Sequence, residues 1–335
     1  MPTIIDVARH ASVSIATVSR VLSKRERVSD AIKKRVLQAV EQLGYEPNRA
    51  ARALRTLRAA KILVTVPDIS NPFFANVIRG AEETARAAGY GVVLGDTRHD
   101  PALENQYAAM LGQREVDGLV FLGHRLPETL RSMIEATGGR APVVNGCEYD
   151  PELGVSSVHI DNAAAGADAT DYLISLGHRR IGIITGPLIS PLSRDRLEGV
   201  RKVAGRHGLF DQLRARAGDF SVESGYNEAQ QLLATDAITA IFCFSDEMAI
   251  GALQAVRNAG LSCPGDISVV GFDDIRFARF LEPALTTVAQ PSTDIGRRTV
   301  RILLKILAGK RARTTNLTLP HTLVVRDSTA AARER

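Results

Sequence analysis

The sequence is poor in the residues that most often advertise a binding or catalytic site. It contains no tryptophan, and aromatic side chains make up only 5% of it. Stacking on a flat ligand therefore falls to a few phenylalanines, which gives weight to the adjacent pair Phe73 and Phe74. Three cysteines, Cys147, Cys243 and Cys263, are widely spaced and odd in number, which excludes a disulfide scaffold and implies a reduced, cytoplasmic setting. No apolar run approaches the ~20 residues that span a bilayer. The first ten residues mix acid and base without an apolar segment, unlike a secretory signal.

The motifs of common enzymes are missing too. There is no GxSxG nucleophile elbow, no GxxxxGK[ST] phosphate loop and no GxGxxG. The seven histidines are scattered, and His178 and His207 have no spacing partner for a metal. Asp273-Asp274 could suggest acid–base chemistry, but successive residues at a strand end point apart. No catalytic residue, metal or cofactor is expected. The rival reading, an α/β sugar- or nucleoside-processing enzyme, would be decided by turnover of a bound sugar or nucleoside, and none is expected.

What the sequence does contain is a strongly uneven charge. Residues 1–60 carry 12 Lys/Arg against 5 Asp/Glu, and the rest carries 30 against 32. A basic head on a nearly neutral body implies that the head alone meets a polyanion. With 335 residues, 45% apolar and 24% charged, the chain can fill two or three soluble domains.

Within the head, Thr3-Ile-Ile-Asp6 has the spacing of a capping box. Ile4, Val7, Ala8 and Ala11 follow as the buried stripe of a short helix. Ser14 stands where an N-cap belongs. After it, Val18, Val21 and Leu22 form an apolar stripe, leaving Ile15, Ala16, Ser19 and Arg20 on the opposite face. That face is small and carries one guanidinium, which suits a DNA major groove, where arginine pairs bidentately with guanine. A third helix, capped by Ser29 or Asp30, runs to Leu43 with Ile32, Val36, Val40 and Leu43 inward and Gly44 as its C′ residue. The first two helices read as helix-turn-helix. Pro47 to Arg55 is Ala- and Arg-rich and marginal as a free helix.

From residue 61 the pattern changes to short β-branched runs at 62–66, 91–94, 118–122, 142–144, 157–160, 181–184, 240–244 and 268–272. Helical stretches at 74–88, 101–113, 163–176, 223–234, 246–259 and 292–308 separate most of them. Alternation of this kind predicts parallel sheets covered on both faces. The array is too long for one sheet, so it divides near 160 and returns after about 288, giving two doubly wound halves with a cleft between them. Ligands in such folds bind at the carboxyl ends of strands. Asp246 and Asp273 each follow an apolar strand there, where a carboxylate can accept protons from ligand hydroxyls. Asp246 can equally serve as a helix cap. Asp161 and Asp100 read as helix caps, and the tail from Ala330 is expected to fray.

The wording of the head, TIIDVARHASVSIATVSRVLS followed by VSDAIKKRVLQAVEQLGYEPNRAARALR, resembles the lactose-repressor (LacI) family. The resemblance is dense over residues 3–55 and continues through the body at lower density. It implies an all-α helix-turn-helix head over 1–46, a hinge and linker over 47–60, and an α/β core over 61–335 built of two doubly wound parallel-sheet subdomains of the periplasmic-binding-protein type. One subdomain would hold about 61–160 and 289–320, the other about 161–288 and 321–330. By the same resemblance Ile15, Ala16 and Arg20 read bases, while Ser14, Thr17 and Ser19 hold phosphates. Asn48, Ala51 and Arg55 face the minor groove, and Leu54 wedges between base pairs.

In the core the resemblance points to Phe73, Phe74 and Phe220 as pocket aromatics. Arg196 would hold ligand hydroxyls or carboxylates, Ser190 and the apolar Leu192 would line the pocket, and Asp246 and Asp273 would complete it. Cys147 falls close to a position where the family often has Asp or Asn. VPDISNPFF, GDTRHD, LGHRLP, PELGVSSVHIDN and DFSVESG are similar to the family's cytidine-responsive branch. The hinge, with Leu54, keeps the ordinary family pattern. The implied protein is a transcriptional regulator, most simply a repressor. Its partners would be double-stranded palindromic operator DNA, a small effector (nucleoside, purine or sugar) and a second copy in a homodimer. It would have no membrane partner, and no heptad tail suggests a tetramer.

Overall fold

A computed structural model describes residues 2–22, 28–45, 58–149, 153–235, 237–309 and 314–333. The chain forms two compact units, Met1–Ala59 and Ala60–Arg335.

The head contains α1 (Ile4–His10), α2 (Ile15–Leu22) and α3 (Asp30–Leu43). Thr3 and Asp6 form the reciprocal capping box, with the Thr3 backbone N–H donating to Asp6 Oδ2 at 2.8 Å. Ser14 Oγ accepts from the Thr17 backbone N–H at 3.1 Å and so starts α2. Gly44 ends α3 in the left-handed region at φ 58°, where a side chain would be strained. Ser29 occupies the N-cap of α3 without a side-chain cap bond. The buried centre consists of Val7, Ala8, Ala11, Val18, Val21, Val36 and Ala39, with Ile32, Val40 and Leu43 packed against it. The four buried valines supply roughly 1.5–3 kcal/mol each and the three alanines less, so this small unit depends on all three helices together. The hinge residues Asn48, Ala51, Leu54 and Arg55 lie outside the described residues.

The core has two six-stranded sheets. The strands are β1 (Lys61–Val66), β2 (Gly91–Asp96), β3 (Gly118–Phe121), β4 (Val143–Gly146), β5 (Ser156–Ile160), β6 (Ile181–Thr185), β7 (Leu213–Ala217), β8 (Ala240–Cys243), β9 (Ser268–Asp273), β10 (Thr286–Ala289), β11 (Asn316–Leu319) and β12 (Thr322–Val324). The first sheet runs β11-β5-β4-β3-β1-β2 and the second β12-β10-β9-β8-β6-β7. All neighbours are parallel except β12, which pairs antiparallel with β10. The helices are α4 (Pro72–Ala87), α5 (Pro101–Gly112), α6 (Glu128–Ala136), α7 (Asn162–Ser175), α8 (Pro191–Arg206), α9 (Val222–Thr235), α10 (Asp246–Asn258) and α11 (Ser292–Leu307).

Each sheet is the spine of one lobe, buried on both faces. Along β1, Ile62 and Val64 pack with Val77 of α4 and Leu303 of α11, while Leu63 packs on the other face with Leu111 of α5 and Leu130 of α6. This two-residue alternation onto two helical layers is why the strand reads as a continuous apolar run. The chain passes between lobes three times: after β5, after β10, and between β11 and β12.

Several elements go beyond the sequence reading. Helices α6 and α8 and strands β7, β10, β11 and β12 are additional. The tail is anchored rather than frayed: Ala330 N–H donates to Ser268 Oγ at 3.1 Å, and Ala332 N–H to the Leu176 carbonyl at 2.8 Å. Ser328, wholly buried, donates to the Val269 carbonyl at 2.6 Å.

Candidate ligand cleft and nucleic-acid interface

On the head, α2 separates its two faces as its periodicity requires. Val18 and Val21 are buried, while Ile15 is 47% exposed and Ala16 and Arg20 are also exposed. Ser14 is exposed, with its hydroxyl 2.9 Å from that of Thr17, and Thr17 and Ser19 are half-buried. The helix thus presents a short, small-residue surface with one guanidinium, shallow enough to approach a groove wall.

In the core, a cleft of about 320 Å³ is lined by residues of both lobes. Phe73 and Phe74 come from the start of α4, where Asn71 caps the helix by accepting from the Phe73 N–H at 2.9 Å. Their rings meet edge to face at 5.2 Å. From the second lobe, Phe220 enters with φ 74°. Its ring lies over Gly186, where a Cβ would overlap it, so only glycine at 186 leaves room for that ring.

The floor is charged. Arg196 of α8 is 3% exposed. Its Nε donates to Asn162 Oδ1 at 2.9 Å, one Nη donates to the Phe244 carbonyl at 2.6 Å, and its guanidinium lies 3.5 Å from the centroid of the Phe272 ring. Asp273, at the end of β9 with φ 114°, accepts from Gln290 Nε2 at 2.7 Å. Glu148 follows β4 in the first lobe and reaches the second, accepting from Ser190 Oγ at 2.9 Å and from the Leu192 N–H at 3.3 Å. Burial pushes both Glu148 and Asp273 up to about 7, against the pull of hydrogen bonds and of Arg196. Burial also pushes Arg196 down to about 10, although the neighbouring acids oppose it. Cys147, with φ 72°, is buried at the cleft wall and its thiol is raised, mainly by burial. Desolvated charges of opposite sign beside aromatic rings suit a neutral ligand carrying several hydroxyls and a flat face.

Six residues expected here, Phe73, Phe74, Ser190, Arg196, Phe220 and Asp273, do line the cleft, as does Leu192. Asp246 does not. It is fully buried, accepting from the Thr287 hydroxyl and from the Ile275 N–H at 2.8 Å, so it braces the loop after β9 from behind. Nor is it the helix cap, because Ser245 takes that place by accepting from the Met248 N–H at 3.1 Å. The lining also includes Arg98, His99, His124, Glu148 and Gln290, which the sequence reading missed. Apart from the consecutive Arg98 and His99, they sit on separate loops with no shared spacing, and only the strand order brings them together.

Residues 3–48 match the family described as bacterial regulatory proteins, lacI family, and residues 170–329 match a periplasmic binding protein-like domain. The chain is 41% identical over 331 residues to the HTH-type transcriptional repressor CytR of Escherichia coli (strain K12), covering 98% of this chain and 96% of that protein. Among solved structures it resembles the Lac repressor dimer bound to operator and the anti-inducer ONPF, with TM-score 0.88 and 29% identity over 98% of this chain and 99% of that one. It also resembles a LacI family regulator from Enterococcus faecium with bound ribose, with TM-score 0.74 and 30% identity over 82% of this chain and 100% of that one. These relatives are transcriptional regulators, not enzymes.

Proposed function

The chain belongs to the lacI family of bacterial regulatory proteins, and we propose that it is a cytoplasmic repressor whose hold on a palindromic operator is set by a nucleoside or pentose between its core lobes. The observation that carries this reading is the bond network of Glu148, which starts in one lobe and ends on Ser190 and Leu192 of the other. A ligand that competes for these groups changes how the lobes close. Phe73, Phe74 and Phe220 supply apolar faces, while Arg196, Asp273 and Gln290 supply donors and acceptors for sugar hydroxyls. The relative from Enterococcus faecium holds ribose, in keeping with this chemistry.

On the head, Arg20 is the base-reading group, Ile15 and Ala16 pack against thymine methyls or the groove wall, and Ser14, Thr17 and Ser19 meet phosphates. Two heads in a homodimer meet the two half-sites of a palindrome. Asn48, Ala51 and Arg55 follow the minor groove and Leu54 wedges into it. To convert a mostly bound population into a mostly free one, the ligand must favour one state by about 5.5 kcal/mol.

The test is operator binding by fluorescence anisotropy, with and without ribose and the common nucleosides, beside a thermal-shift screen of the same compounds. A true effector at 100 times its Kd adds about 2.7 kcal/mol of stability and moves the operator midpoint. If none of these compounds shifts melting or operator binding, the effector assignment fails. The hinge reading is tested separately by Leu54→Ala, which is expected to lose affinity and DNA bending.

A further inference from the structure

We infer that the outer face of α11, carrying Arg298, Arg301 and Lys305, is a second DNA contact, one that holds phosphates of the duplex flanking the operator. The inference goes beyond the head's reading of the half-sites and rests on the reading of this chain as an operator-binding regulator.

The near-neutral balance of the core conceals a strongly cationic segment. Residues 295–315 carry seven Lys/Arg and no Asp/Glu, which leaves 23 Lys/Arg against 32 Asp/Glu over the rest of 61–335. Within α11 the cations are sorted by face. Ile295, Gly296, Thr299, Val300, Ile302 and Leu303 are buried, whereas Arg298, Arg301 and Lys305 are exposed. Their spacing of three and then four residues stacks them along one side of the helix. The backing is rigid, because α11 and α4 meet backbone to backbone. A Cβ at Gly296 would overlap the Val77 carbonyl, and one at Gly80 would overlap the Thr293 carbonyl.

The neighbouring acids are engaged elsewhere. Arg297, beside the face, takes both Glu83 of α4 and Asp294, at 3.0 and 3.4 Å. Glu82 of α4 pairs with Arg86 at 2.9 Å. Among the described residues no acid pairs with Arg298, Arg301 or Lys305, so their charges are left to a partner.

Position, length and composition all select a duplex as that partner. Helix α11 runs from the crossover after β10 to the edge of the first sheet where the chain enters the core. Leu303 lies against Gly118, the first residue of β3, and Gly118 is in register with Ile62, beside Lys61. From Arg298 to Lys305 the helix rises about 10 Å, over which duplex DNA carries about six phosphates. No large apolar side chain of α11 is exposed. The face therefore lacks the apolar anchor around which protein partners dock, while guanidinium and ammonium groups alone suit phosphate oxygens.

The experiment is fluorescence anisotropy of the full chain on two labelled duplexes cut from a genomic fragment that the protein itself retains. One ends at the outer boundaries of the half-sites, and the other continues on each side for about one helical turn, roughly 10 base pairs. The long duplex should bind about tenfold more tightly at low salt, with a steeper salt dependence, since each phosphate contact adds about 0.9 to the slope of log K against log salt. Arg298→Gln, Arg301→Gln and Lys305→Gln combined should remove that gain and the extra slope. Affinity for the short duplex should stay at the wild-type level, which also shows that the variant folds. Arg298→Lys with Arg301→Lys, which keeps both charges, should retain the gain. If the triple variant does not fold, Arg301→Gln alone carries the test, with a loss of about 0.9 in slope per subunit. The inference is overturned if the two duplexes bind alike, if the gain survives in the glutamine variant, or if that variant weakens both duplexes equally. It is also overturned if only binding to poly-glutamate, a stand-in for an acidic protein, depends on these cations. If the short duplex binds as tightly as the long one, only this inference falls. If the chain retains no genomic fragment, the operator reading falls with it.

Discussion

Ser190 donates its hydroxyl to Glu148 Oε1 at 2.9 Å, and that bond crosses from one core lobe to the other. The carboxylate also receives the Leu192 N–H at the start of α8, where the helix dipole favours negative charge. Burial nevertheless outweighs these contacts and raises its pKa from 4.5 to about 7.

The first prediction is the pH dependence that follows. An acid whose pKa is raised on folding binds more protons in the folded state than in the unfolded chain. Its contribution is therefore most favourable below about 4.5 and is lost as pH rises through about 7. Asp273, raised from 3.8 to about 7, acts in the same direction. Stability of the ligand-free protein, read from the urea unfolding of its core, is expected to fall between pH 5 and 8. Glu148→Gln should flatten that slope, by up to about 3 kcal/mol across the range. An unchanged slope in the variant would show that Glu148 is not the titrating group.

Arg196 gives a second prediction. Its guanidinium meets Asn162, the Phe244 carbonyl and the face of Phe272 at once, all away from bulk water. Lysine cannot reproduce that planar fork. Arg196→Lys is expected to cost about 2–4 kcal/mol of core stability, because it leaves buried acceptors without donors, and to abolish detectable binding of any sugar-bearing ligand. Urea titration at fixed pH and calorimetry measure the two effects. Wild-type values for both would remove Arg196 from the site.

On the head, Arg20→Ala is expected to cost about 1–3 kcal/mol at one base pair of each half-site, while binding to unrelated duplex DNA stays near wild type. Competition titrations with operators substituted one position at a time measure this. A uniform loss across all sequences would mean that Arg20 holds a phosphate and reads no base.

Much of this was legible from residue spacing, for reasons that particular elements make plain. Thr3 and Asp6 announce α1 because a capping box depends on a three-residue interval, and the Val18–Val21–Leu22 stripe fixes which face of α2 points outward. Strands such as β1 stand out because both of their faces are buried. Helix α8 was hidden because Ser193 to Arg196 in its first turns are polar and the apolar residues Leu197, Val200, Val203 and Ala204 come late. Edge strand β7, Leu-Arg-Ala-Arg-Ala, alternates charge with small residues and has no buried face to betray it. Asp246 misled because a carboxylate after a strand looks the same in sequence whether it faces the cleft or turns back to hold Thr287 and Ile275. His99 and His124, 25 positions apart, become neighbours only once β1 is inserted between β2 and β3.

The last prediction concerns how α8 brings Arg196 and Ser190 to the cleft. Helices α7 and α8 pack through reciprocal glycines. A Cβ at Gly199 would overlap the Ala163 carbonyl, and a Cβ at Gly166 would overlap the carbonyl of Arg196 itself. Backbone stands against backbone at both points, so an added methyl cannot be absorbed by a side-chain rotation. The helices must separate instead, which strains a close-packed interface by roughly 1–3 kcal/mol. Gly199→Ala is therefore expected to destabilise the core by about that amount and to weaken ligand binding by displacing α8, although neither glycine touches the cleft. Gly205, on the same helix, meets nothing within 4 Å and supplies the control. Gly205→Ala should be neutral or stabilising, by up to about 1 kcal/mol from helix propensity alone. Equal effects of the two substitutions on unfolding and on ligand affinity would mean that the glycine contact does not set the position of α8.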